Sequence, residues 1–120
     1  ESSNEDGFTA LMLAAAKGQH EVAAFLVDSG ADMEAKGDHD TTALMAAACE
    51  GLQAVVSYLV DKGSDLEARN EDGFTALMVA AQEGHQEVIA VLLRKGANLE
   101  AKNQEGFTAL MTAAQDGHPE

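Results

Sequence analysis

The chain repeats itself every 33 residues, and that period limits the folds open to it more than any other feature. The string Thr-Ala-Leu-Met begins at Thr9, Thr42, Thr75 and Thr108. Gly18, Gly51, Gly84 and Gly117 keep the same interval, as do Gly30, Gly63 and Gly96. After each member of the second glycine series comes a variant of one run: Ala-Asp-Met-Glu-Ala, Ser-Asp-Leu-Glu-Ala, then Ala-Asn-Leu-Glu-Ala. Three landmarks held in register describe a unit that stacks on copies of itself. The units are read as 3–35, 36–68 and 69–101, with a partial copy at 102–120, all within a single domain.

Each unit reads as helix, turn, helix and an extended finger. Thr9 is placed to cap a helix start with its hydroxyl. Leu11 to Ala16 is rich in strong helix formers. Gly18 then stands where a left-handed C-terminal cap is expected. A second helix follows, with Val22, Phe25 and Leu26 at i, i+3 and i+4, predicted to face the core. Val55, Tyr58 and Leu59 repeat the stripe, as do Val88, Val91 and Leu92. Gly30 ends that helix, and the polar, turn-rich stretch to Thr41 reads as a hairpin-like finger. Isolated helices below roughly 12–15 residues are marginal in water, so these short ones need neighbours. Aromatic residues are only 4% of the chain and there is no Trp, so Ala, Leu, Val and Met must build the core. Ala14, Ala15, Ala47, Ala48, Ala80 and Ala81 allow successive first helices to approach closely, which gives a one-dimensional stack.

Thr-x-Leu-x-x-Ala-Ala, then Gly-His or its variant, then Glu-Val with a Leu pair, then Gly-Ala-Asp-x-x-Ala, resembles the ankyrin repeat over nearly the whole chain. The resemblance implies an all-α ankyrin-repeat solenoid of helix-turn-helix units with β-hairpin-like fingers, three full repeats plus a truncated fourth. The chain departs from the family pattern in places. The family's Thr-Pro-Leu-His reads Thr-Ala-Leu-Met in every copy. Met12, Met45, Met78 and Met111 therefore replace a histidine that in the family hydrogen-bonds the motif threonine, putting flexible apolar packing in its place. Glu34, Glu67 and Glu100 stand where the family often has Asn, so contacts specific to that Asn do not carry over. The second unit is the least regular. Gly37 stands where Asp is usual, Asp40 where Gly is usual, and Leu52 where His85 shows histidine. A finger turn made with Asp40 is expected to carry left-handed strain.

The resemblance implies a binding scaffold whose partner surface is the concave side, made of finger tips and the open part of the first helices. Position by position, the fingers contribute Glu5, Asp6 and Phe8, then Asp38, His39 and Thr41 beside Lys36. The next two contribute Glu71, Asp72 and Phe74 beside Arg69, and Gln104, Glu105 and Phe107 beside Lys102. The helices contribute Lys17, Cys49, Glu50, Gln82, Glu83, Gln115 and Asp116, with Ala16. Phe8, Phe74 and Phe107 share one repeat position, with Thr41 as the exception. They read either as anchors for a partner or as packing on the neighbouring finger. Glu50, Glu83 and Asp116 form an acidic stripe that Lys17 interrupts.

The charge narrows the partner. Seven Lys and Arg face 21 Asp and Glu, a formal −14. Such a surface repels phosphate backbones and anionic membranes, and no apolar run approaches the roughly 20 residues of a membrane span. It attracts basic segments in a salt-dependent way, and it also keeps the protein soluble. The single Cys49 leaves no intramolecular disulfide and fits a reducing, intracellular setting. The chain opens on Glu1 without a visible signal peptide, which reads as a fragment or processed form.

Chemical signals are weak. Asp38-x-Asp40-x-Thr42 matches a pattern of phosphoryl-transfer enzymes, but that chemistry needs a preceding buried strand and a large α/β domain, and here it falls in a finger. His20, His39, His85 and His118 show no metal-ligand spacing. His85 and His118 resemble the family's structural histidine, which bonds backbone. Neither metal, cofactor nor catalysis is expected. The leading expectation is a protein-binding module for a basic or amphipathic segment. A consensus-like scaffold, and a structural unit whose uncapped ends associate, are the alternatives. Leu110 and Met111 are expected to have fewer partners than their equivalents.

Overall fold

A computed structural model describes residues 9–115 of the chain. The expectations placed on Glu5, Asp6, Phe8, Asp116 and His118 lie outside the described residues, as does the side chain of Gln115. Seven α-helices are described: α1 (Ala10–Ala16), α2 (His20–Asp28), α3 (Ala43–Cys49), α4 (Gln53–Asp61), α5 (Ala76–Glu83), α6 (Gln86–Arg94) and α7 (Ala109–Gln115). A single 3-10 turn at Asp38–Asp40 interrupts the second finger.

Each first helix starts because a threonine hydroxyl replaces a missing backbone partner. Thr9, Thr42, Thr75 and Thr108 Oγ1 accept from the amides of Met12, Met45, Met78 and Met111 at 3.2–3.4 Å. Such caps contribute about 1 kcal/mol each. The chain then turns back, and α1 pairs with α2, α3 with α4 and α5 with α6. The pairs stack in order: α1 on α3, α3 on α5, α5 on α7, and on the other layer α2 on α4 and α4 on α6. The alanines at the seam between first helices, from Ala14 to Ala81, are all buried. Leu11, Leu44 and Leu77 beside them are buried too, each such side chain contributing about 1.5–3 kcal/mol of transfer free energy. Met12, Met45 and Met78 are also inside, so the methionines do pack as apolar filler.

The first unit corrects one expectation. Helix α2 forms, but its stripe is not buried: Val22 is 48% exposed and Phe25 70%, with Leu26 partly covered. The equivalent Val55 and Val88 are 2% and 0% exposed. The sequence pattern is the same in all three helices. What differs is the neighbour, because α4 and α6 each rest on a preceding second helix and α2 has no such helix among the described residues. Leu110 and Met111 at the other end are about half exposed, as expected from their position.

Bonds between units reinforce the apolar seam. His85 Nε2 lies 2.9 Å from the Cys49 carbonyl. A Cβ at Gly51 would fall 2.8 Å from the same imidazole, so only glycine leaves room for it. Glu34 Oε2 accepts from the Asp65 amide at 2.8 Å, and Glu67 Oε2 from the Asn98 amide at 2.9 Å. The glutamates that replace the family's Asn thus tie one loop to the next. On the second-helix layer Lys95 pairs with Asp61 at 2.6 Å and Lys62 with Asp28 at 3.6 Å. Tyr58 donates to Asp28 at 3.0 Å and packs edge-on to His20.

Candidate functional site

The fingers line up along one edge of the stack, and the first helices present one face beside them. The period makes that face regular. Leu13, Ala46, Val79 and Thr112 share one register position, Ala16, Cys49 and Gln82 a second, and Lys17, Glu50 and Glu83 a third. Within each helix these positions are i, i+3 and i+4, which is a single helical face. Side by side, all of these except Lys17 and Thr112 line a cleft of about 410 Å³.

Eight of the sequence-predicted residues line this cleft. His39, Thr41 and Asp72 come from the fingers, and Ala16, Cys49, Glu50, Gln82 and Glu83 from the helices. Leu13, Met45, Ala46, Val79 and Asn70 also line it, and sequence reasoning missed them as site residues. A signal for the first floor position existed. The copies are near-identical at the Met and Ala core positions but differ at 13, 46, 79 and 112. Lys17, Gln104, Glu105 and Phe107 lie outside the cleft lining, and so do Asp38, Glu71 and Phe74. Phe74 is half-buried against the core, so at that finger the aromatic ring packs internally.

The finger tips are built differently from one another. In the third finger (69–74) Asn70 Oδ1 accepts from the amides of Asp72 and Phe74, both at 2.9 Å. Asn103 does the same for Glu105 and Phe107 in the fourth (102–107). In the second finger (36–41) Gly37 has no side chain to do this. His39 and Asp40 both adopt left-handed backbone, φ 58° and 61°, so the strain expected at Asp40 extends to His39. The imidazole Nδ1 of His39 hydrogen-bonds Glu71 Oε2, and the Glu71 amide donates to the His39 carbonyl at 3.0 Å. The Glu71 hydrogen bond, then the charge of Asp38, raise the His39 pKa above its ordinary value near 6.5.

The cleft rim carries the carboxylates of Glu50, Glu83 and Asp72. Among the described residues no cation forms an ion pair with Glu50, Glu83 or Asp72, while Lys62 and Lys95 are spent on Asp28 and Asp61. Burial, then the charges of Glu83 and Glu50, push the Cys49 thiol up. A thiol held protonated in this way is a poor nucleophile. Among the described residues no group of histidine, cysteine and carboxylate side chains converges to hold a metal ion. The arrangement offers an apolar floor with an acidic rim.

A ladder of short helix pairs with turns along one edge and a groove beside them defines a helical-repeat protein. The chain belongs to the ankyrin-repeat family: the family model described as ankyrin repeats (3 copies) matches residues 1–70 and 64–120. No curated protein matches the chain. Ankyrin repeats are generally protein–protein interaction modules and typically non-enzymatic scaffolds. No helix among the described residues is long and apolar enough to cross a membrane.

Proposed function

We propose that the chain is a protein-interaction module whose acidic concave cleft takes a basic or amphipathic segment of a partner. The observation that carries this reading is the pairing of an apolar floor at Leu13, Ala46 and Val79 with Glu50 and Glu83, which no cation neutralises among the described residues. A segment with apolar and cationic side chains covers the floor and relieves the repulsion among the carboxylates together. An anionic partner such as nucleic acid meets the opposite balance. The same reading takes the module to work inside the cell, where Cys49 would stay reduced.

The test is capture of partners on immobilised native chain and on a Glu50→Lys/Glu83→Lys variant, at low and at high salt. The reading expects a partner bearing a basic segment, held by the native chain, lost from the charge-reversed one and released by salt. Equal capture by both chains at both salt levels sinks it.

One observation favours a second reading, in which copies stack end to end. Val22 and Phe25 are exposed at one end of the stack, and Leu93, Leu99, Leu110 and Met111 at the other. Such a head-to-tail contact is heterologous and does not close. Sedimentation of the native chain and of Phe25→Glu tests it: concentration-dependent growth that the substitution removes supports stacking, and a monomer at all concentrations refutes it.

A further inference from the structure

The three units do not give the cleft the same walls. The first unit supplies Met12, Leu13 and Ala16, all apolar. The third supplies Asn70, Asp72, Val79, Gln82 and Glu83, of which Val79 alone is apolar. The second stands between them, with Ala46 and Cys49 beside Glu50. The helix faces show the same trend along each register row: Ala16, Cys49 and Gln82 in one, and Lys17, Glu50 and Glu83 in the next. The second of these rows changes sign after the first unit, and its three members are all exposed. Packed helices lie roughly 8–10 Å apart, so two steps of the stack put Lys17 about 16–20 Å from Glu83. That exceeds the Debye length of about 8 Å at physiological salt, and each end of the cleft therefore presents its own charge.

We propose that the cleft is directional: it takes a partner segment with an apolar end and a cationic end, and seats the apolar end on the first unit and the cationic end on the third. This rests on the cleft being the docking face. An apolar side chain over Met12, Leu13 and Ala16 displaces water from apolar surface and strips none from a carboxylate. The same side chain over the third unit would draw water from Asp72, Gln82 and Glu83 without giving them a partner, which is costly. A cation near Glu50 and Glu83 is attracted, and one carried to the first unit comes toward Lys17 instead. Both terms favour one orientation, and neither depends on which way the partner's backbone runs. At about 3.3 Å per residue, roughly six residues of extended chain cover two steps of the stack. A segment with its charges spread evenly gains the attraction but not the direction. Partner selection then reads the order of apolar and basic residues as well as their number.

The experiment uses the full chain, labelled with ¹⁵N, and two capped peptides of one composition, a leucine block followed by an arginine block and the reverse. Each carries a nitroxide at its arginine end, on an amino acid without a thiol so that Cys49 stays unlabelled. Both peptides are expected to shift the cleft amides saturably. In both, the nitroxide should broaden the amides of Gln82 and Glu83 and spare those of Leu13 and Ala16, with one orientation favoured about tenfold, the scale of two or three exposed ion pairs. Exchanging the charges, in Lys17→Glu/Glu83→Lys, leaves the net charge unchanged and should cut that preference severalfold. Should the exchanged chain fail to fold, added salt should cut the preference in the native chain. Equal broadening at the two ends overturns the proposal, as does broadening centred on the first unit or a preference that neither the exchange nor salt diminishes. Glu50→Lys/Glu83→Lys separates these failures from failure of the groove itself. If that variant loses the peptides while the native chain binds them without direction, the orientation is wrong and the groove stands. If it binds them as well as the native chain does, or if neither peptide shifts the cleft amides, both readings fall.

Discussion

The second finger and the third occupy the same place in successive units, yet different forces hold them. The third carries its own instructions. Asn70 receives two amides of its own turn, and Gly73, at φ 80°, takes the left-handed position without strain. The second has lost both devices. Gly37 accepts nothing through a side chain, and two non-glycine residues, His39 and Asp40, sit in left-handed backbone that disfavours side chains. Its tip is tied instead to the next unit, through His39 to Glu71 and through Lys36 Nζ to the Arg69 carbonyl at 2.9 Å. The lesson is that a repeat can trade local turn chemistry for contacts with its neighbour. A tip held by its neighbour can then be reshaped without disturbing the helices behind it.

The largest effect that would break this comparison is expected at Gly73. Alanine there meets the left-handed penalty of about 1–2 kcal/mol. Its Cβ would also lie 2.9 Å from Gln104 Cγ and 3.0 Å from the Gln104 amide nitrogen, so the fourth finger must move as well. Thermal unfolding of Gly73→Ala should show a loss of at least that size. A smaller effect is expected from Asn70→Ala, which orphans the amides of Asp72 and Phe74 at a cost of about 1–2 kcal/mol. The same alanine at Gly37, where φ is −98°, meets no left-handed penalty and removes no side-chain hydrogen bond. A melting temperature unchanged or slightly raised in Gly37→Ala, against a clear drop in Asn70→Ala, would sharpen the contrast. Equal losses at the two positions would erase it.

These residues also mark how far the sequence could be read. The period, the threonine caps and the buried alanines were legible because each is a local or repeating feature with one physical meaning. The exposure of Val22 and Phe25 was not, because a stripe says which face is apolar and not whether a helix lies against it. Strain at Asp40 was legible as a side chain where glycine is usual; its spread to His39 was not, since a turn without its Asx partner settles into another shape. The cleft was half legible. Its acidic positions follow from register, whereas Leu13, Ala46 and Val79 read as ordinary helix formers until the fold sets them side by side. Glu34 and Glu67 hid their role because their partners are backbone amides of the next loop. His85, by contrast, followed the resemblance and bonds backbone as expected.

The smallest effect is the most specific to the second finger. His39 is exposed, and its pKa is raised first by the hydrogen bond to Glu71 and then by the charge of Asp38. The folded form therefore binds the proton more tightly than the unfolded chain does. By linkage, the pairing stabilises the tip fully below the ordinary value near 6.5 and loses that stabilisation as pH rises through the raised folded value. Following the His39 ring proton by NMR across this window should give a midpoint above 6.5, moving back toward it in Glu71→Gln and with added salt. Amides of the second finger should shift over the same window, while the fourth-finger amides of Glu105 and Phe107, held by Asn103 two units on from His39, stay nearly still. A midpoint at or below 6.5, or one indifferent to Glu71→Gln, would mean that the second finger owes its shape to its own backbone after all.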